Sequence, residues 1–138
     1  MKCVMKNGEL VNAVNQIIAM QDREKASGKP LFENRIRVVY ALKKNKGILA
    51  KMVEPYEEAR KELIEKCGTT NENGAISITA GKEKEWEKGI NELLNIENDV
   101  DVHAIRLSDL DGLSLSMTDM DALEFMIDDS EEMAAQAE

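Results

Sequence analysis

Between Val38 and Leu63 the buried-type positions advance in alternating steps of four and three, through Val38, Leu42, Asn45, Leu49, Met52, Tyr56, Ala59 and Leu63. That spacing puts every member on one stripe of a helix and excludes a strand, whose faces alternate every second residue. It predicts one long helix from Phe32 to Cys67, with a seam about 38 Å long at 1.5 Å per residue. Pro55 removes a backbone hydrogen bond, and because the stripe keeps its register there, a bend is expected rather than a break. Asn45 is the amide in an otherwise apolar seam. Between paired helices such a residue fixes register at a cost in stability, so Asn45→Leu is expected to stabilise the seam and loosen oligomer choice. Ile36, Val39 and Tyr40 lie off the stripe, which predicts that the front of the helix is buried on two sides.

A rod of this length needs cover. Residues 2–5 suit a short strand, followed by a turn at Asn7-Gly8 in which Asn7 caps a helix ending near Met20. Leu10, Val11, Val14, Ile17 and Ile18 mark its inner face. The polar stretch Gln21–Pro30 reads as a loop. That first helix spans only about 20 Å. Either two shorter helices lie along the rod, or a second copy of the chain does. Beyond it, Gly68 suits a helix stop and Asn73-Gly74 a hairpin turn. Residues 76–79 read as a strand, 82–95 as a helix with Trp86, Ile90, Leu93 and Leu94 inward, and 100–105 as a strand that pairs with 75–79. Residues 108–117 read as irregular. Thr118 and Asp121 have capping-box spacing for a last helix that turns Met120, Leu123 and Ile127 inward. The expectation is an α+β fold, predominantly helical, in which shorter helices and a small antiparallel sheet of two or three strands pack the long helix. Residues 1–127 form a single domain and 128–138 an acidic, frayed tail.

With 43% apolar and 33% charged residues, the 138-residue chain has the composition of a globular domain with a sizeable core. Its net charge of −9 is unevenly spread. Residues 1–68 carry 14 Lys/Arg against 9 Asp/Glu, while residues 69–138 carry 4 against 18. Arg35, Arg37, Lys43, Lys44, Lys46 and Lys51 form a candidate basic face on the half of the long helix opposite its seam. The acids after Arg106 include Asp109, Asp111, Asp119, Asp121, Glu124, Asp128 and Asp129, which are candidate partner-binding residues. Three readings compete: the acidic segment covers the basic helix or is a solvated face, the basic stretch touches phosphates, or the acidic segment imitates a polyanion on a partner protein. A net charge of −9 repels nucleic acid and counts against the second.

Candidate chemistry is sparse. Setting Gly112 at the sixth position of a calcium loop puts Leu107 first and Thr118 twelfth, where carboxylates are required, so Asp109-Leu110-Asp111-Gly112 reads as an acidic turn. His103, the single histidine, has no partner or nucleophile assigned by spacing. Cys67, near a helix end, reads as a small core residue rather than a nucleophile, and Cys3 carries no signal. Phosphate-binding glycine motifs and a GxSxG elbow are absent from the sequence. The aromatics do not interleave with cations as a base-stacking platform would. No catalytic, cofactor or metal residue is assigned. Two cysteines make no disulfide framework, and the sequence shows neither a signal-type start nor a membrane-length apolar run. A reducing, cytoplasmic setting is expected.

Several stretches together carry a likeness: Lys6-Asn7-Gly8-Glu9-Leu10, Glu33-Asn34-Arg35-Ile36-Arg37, the run Tyr56 to Lys66, Asn73-Gly74, Ile90-Asn91-Glu92-Leu93-Leu94, and Asp121 to Ile127. In this order they resemble a family of small tailed-phage and prophage proteins known only as a domain of unknown function. The resemblance implies a phage origin and a bacterial cytoplasm, and it transfers no functional residue. The expectation is a non-enzymatic phage accessory protein that binds a macromolecular partner, in its sharper form inhibiting a host or defence protein through the acidic 107–138 surface. The alternative is a particle structural or assembly factor whose copies join through the 38–63 seam.

Overall fold

A computed structural model describes residues 1–129, so all but the first two residues of the tail expected over 128–138 lie outside the described residues. Strand β1 (Lys2–Lys6) runs directly into helix α1 (Asn7–Ser27), and helix α2 (Ile36–Cys67) follows. The turn expected at Asn7-Gly8 is not formed, and Asn7 is no cap. The side chain of Glu9 accepts the Lys6 N–H instead, at 3.0 Å. Asn7 is turned inward: its Nδ2 donates to the Leu93 carbonyl at 2.7 Å, and its Oδ1 accepts from Asn98 at 2.9 Å. Helix α1 also continues through the stretch expected to be a loop. Gln21–Ser27 holds no helix breaker, and several of its polar side chains are used by the fold: Gln21 accepts from Lys46, Arg23 pairs with Asp119, and Glu24 accepts the Leu31 N–H. The helix stops at Gly28, whose φ of +69° is the left-handed conformation that glycine tolerates best, and its N–H bonds back to the Glu24 carbonyl.

Helix α2 begins at Ile36, four residues later than expected, because Phe32 is buried in a turn instead. In that turn Glu33 and Asn34 hold positive φ, at 47° and 64°. The helix passes unbroken through Pro55, which is exposed. Its seam is buried as expected from Val38 through Leu49, together with Ala41. Beyond that the buried positions become Val53, Tyr56, Ile64 and Cys67, while Met52, Ala59 and Leu63 are half-buried. A helix free of a supercoiled partner drifts about 20° per heptad from a strict seven-residue repeat, and the stripe follows that drift. The seam from Val38 to Leu49 is covered by this chain's own elements, so it is not an open face for a second copy.

After α2 comes a hairpin of β2 (Gly68–Thr70) and β3 (Ile76–Ile78), antiparallel, with Gly68 opposite Ile78. This corrects the expected pairing of 75–79 with 100–105. Gly68 is extended, and a Cβ there would fall 2.2 Å from the Ser77 carbonyl oxygen, so close approach of β3 is what requires glycine. Helix α3 (Glu83–Leu94) approaches α2 at Gly89, beside Leu63, and α1 at Leu94, beside Gly8, and its Trp86, Ile90, Leu93 and Leu94 are half-buried. Strand β4 (Glu97–Asp101) pairs antiparallel with β1, setting Lys2 opposite Asp101 and Lys6 opposite Glu97, a cross-strand charge pattern that fixes register.

The last segment comprises β5 (Ile105–Arg106), a 3-10 turn (Leu107–Leu110), helix α4 (Met117–Leu123), a second 3-10 turn and β6 (Ile127–Asp128). Ser116, not Thr118, caps α4, its Oγ accepting the Asp119 N–H at 3.1 Å. Ile127 belongs to a strand rather than to that helix, and β6 pairs in parallel with β5. The fold is therefore α+β and predominantly helical, but among the described residues its strands form three separate pairs rather than one sheet. One apolar core takes Met5, Leu10 and Ile17, then Phe32, Val38 and Leu49, then Val100, Ile105, Leu123 and Met126, with α3 adding half-buried Ile90, Leu93 and Leu94. Asp128, expected in a frayed tail, is paired in β6. Among the described residues no helix is long and apolar enough to cross a membrane.

Candidate functional site

The amide of Asn45 organises the front of α2. Asn45 is fully buried, its Nδ2 donates to the His103 carbonyl at 2.9 Å, and its Oδ1 accepts the His103 N–H at 2.7 Å. The side chain thus presents one donor and one acceptor as a strand backbone would. It satisfies both main-chain groups of a residue that lies between β4 and β5 and belongs to neither. The seam asparagine serves this chain's own fold, not register between copies. With its backbone held, His103 packs its ring edge-on to Tyr40, centroids 5.2 Å apart. One turn to either side of Tyr40 on the same face stand Ile36 and Lys44, whose Nζ lies 5.8 Å from the Tyr40 ring centroid.

The expectation that Ile36 and Tyr40 are buried is overturned: Ile36 is 82% exposed and Tyr40 53%. Chain residues 103–111 approach the helix on the side of Arg35, and that leaves the two apolar side chains at the rim of a cleft. Arg35 makes the approach possible by donating to two backbone carbonyls, from Nη1 to Asp109 at 3.1 Å and from Nη2 to Asp111 at 2.6 Å. The cleft, of about 380 Å³, is lined by Ile36, Arg37, Tyr40, His103, Ala104, Arg106 and Asp109. A neighbouring hollow of about 280 Å³ continues along the helix past Asn34, Ile36, Val39, Tyr40 and Lys43. The one acid in these linings, Asp109, already uses its carboxylate to accept the Arg106 N–H at 2.9 Å. Arg37 and Lys43 are exposed and make no hydrogen bond or ion pair among the described residues.

The expected basic face is divided. Arg35 is spent on the fold, Lys46 donates to Gln21 Oε1 at 2.7 Å, and Lys44 caps Tyr40; Arg37, Lys43 and Lys51 point to water. The acidic set does not form one surface either. Asp119 is buried in an ion pair with Arg23 of α1, Asp109 closes the 3-10 turn, and Asp128 is half-buried in β6. Asp111, Asp121, Glu124 and Asp129 are exposed. The acidic segment does lie against the basic helix, yet the contact from Arg35 goes to main-chain oxygens and not to carboxylates. Among the described residues no cluster of His, Cys, Asp or Glu could hold a metal ion. Burial pushes the Cys3 thiol pKa up, and Cys67 is a buried free thiol.

What the site offers is recognition chemistry: an apolar centre with cations on its rim. Sequence reasoning named the cations but missed Ile36, Tyr40 and His103, having assigned the first two to the core and the third to a strand. The signal present in the sequence was two large apolar residues one turn apart, off the seam and among unpaired cations. No protein-family model matches the chain, and no curated protein or solved structure matches it at significant similarity.

Proposed function

We propose that this chain is a non-enzymatic accessory protein that works by binding a macromolecular partner, of the phage type its sequence resembles, in the cytoplasm of a bacterial host. The observation that supports this is the exposure of Ile36 and Tyr40, one helical turn apart and lining the same cleft. Burying one such side chain is worth about 1.5–3 kcal/mol, so two left in water beside a concave, cation-rimmed surface favour a binding role. The test is capture from a host lysate on the immobilised full chain, followed by reconstitution with the purified partner. The expected result is a partner that reconstitutes a stoichiometric complex; a chain that forms none with any captured protein overturns the reading. The sharper form, inhibition of a host or defence protein through acidic residues, now rests on Asp111, Asp121, Glu124 and Asp129.

A different observation favours the assembly reading. Between α2 and α3 an open groove of about 510 Å³ is floored by Ala59, Leu63, Gly89, Leu93 and Ile96, and α3 has no fully buried residue. A second copy along this distal part of the rod would complete its burial. Light scattering across concentration decides it: a dimer supports joining at this groove, and a strict monomer removes it.

A further inference from the structure

We infer that the cleft at the front of α2 binds an acidic stretch of a protein partner, seating a large apolar side chain of that stretch between Ile36 and Tyr40. The inference rests on the partner-binding reading and adds the chemistry of what is bound. Charge complementarity commits the occupant. Arg37 lines the cleft and Lys43 its neighbouring hollow, both exposed and without a partner among the described residues, while the carboxylate of Asp109 is turned to the Arg106 N–H. A carboxylate-rich segment would neutralise these cations, which lie along an otherwise acidic molecule of net charge −9 and so favour an anionic partner at this one face. The apolar centre fixes what lies between the carboxylates. Ile36 is aliphatic and cannot stack on a base. The Tyr40 ring has Lys44 over it and the His103 ring against it, so it is not an open stacking platform. These features favour a peptide over a nucleic acid.

The test selects an mRNA-displayed random dodecapeptide library on the immobilised full chain, with Ile36→Ser and Arg37→Glu/Lys43→Glu variants as parallel targets. Arg35 is left intact because it holds the 109–111 segment in place, and far-ultraviolet dichroism with thermal melting confirms that the exposed-site variants keep the fold. The expected result is enrichment of peptides rich in Asp and Glu around a large apolar residue. Their binding should weaken about tenfold or more in each variant and also as salt screens the rim. Enrichment of basic or neutral peptides, no enrichment at all, or equal binding by the variants overturns the inference, as does tighter binding of a single-stranded oligonucleotide than of any selected peptide. If both variants still hold a reconstituted partner at wild-type strength, the partner-binding reading stands and this cleft is not where the partner binds.

Discussion

Asn45 shows how one residue decides between two meanings of the same pattern. Within a seam shared by two copies, Asn45→Leu would add apolar contact and raise stability. In this fold the substitution leaves the His103 N–H and carbonyl unpaired behind a buried side chain, and each such group costs about 1–3 kcal/mol. Asn45→Leu should therefore lower unfolding free energy by about 2–3 kcal/mol after the gain in apolar burial is offset, read from the urea midpoint. A midpoint at or above wild type would mean the amide is dispensable. Arg23 and Asp119 make a second residue-scale case, since the carboxylate is buried and the guanidinium half-exposed. Arg23→Ala strands the carboxylate and should cost about 1–3 kcal/mol, whereas adding Asp119→Asn to it should recover part of that loss. A double-mutant cycle with zero coupling would contradict the pairing.

Two glycines separate what an element needs from what it tolerates. A Cβ at Gly68 would meet the Ser77 carbonyl oxygen at 2.2 Å, a backbone atom that can retreat only if the β2–β3 hairpin opens. Gly68→Ala should erase the slow amide exchange of that hairpin. Gly47, exposed in α2 with nothing near its missing Cβ, should give a gain of about 0.5–1 kcal/mol on conversion to alanine. Retained hairpin protection in the first variant, or a destabilised second, would contradict this account. At this scale the sequence was informative wherever a signal is local. The long helix, the helix at 83–94 and the strands at 2–6 and 76–78 follow from periodicity and alternation, whereas the strand expected over 100–105 is instead divided between β4, which starts earlier, and β5. The end of α1 was missed because a polar run at a helix end resembles a loop until the first breaker, here Gly28. Strand pairing was missed because partners such as Met5 and Asn98 are chosen by the packed core and not by their neighbours. The cleft was missed for the same reason: whether Ile36 is covered depends on how far the segment after His103 reaches, and no local pattern sets that distance.

For the molecule as a whole, the acidic segment is a structural member before it is anything else. Leu110, Ala122, Leu123 and Met126 all enter the core. A chain ended at Ser108 should lose cooperative unfolding in calorimetry, while one ended at Asp129 should keep it; a sharp transition in the shorter chain would show that the core closes without its last segment. Removal at Ser108 therefore cannot isolate a surface role for the acids, and point changes at Asp111, Asp121 and Glu124 are the informative ones. The closing ladder between Lys2–Lys6 and Glu97–Asp101 also carries a consequence for synthesis. The first strand leaves the ribosome with no partner, and its mate follows more than ninety residues later, on the order of ten seconds at ordinary elongation rates. Throughout that interval the nascent chain presents an unpaired edge, joined once residue 45 has emerged by an amide still waiting for His103, a window in which a ribosome-bound chaperone has something to hold.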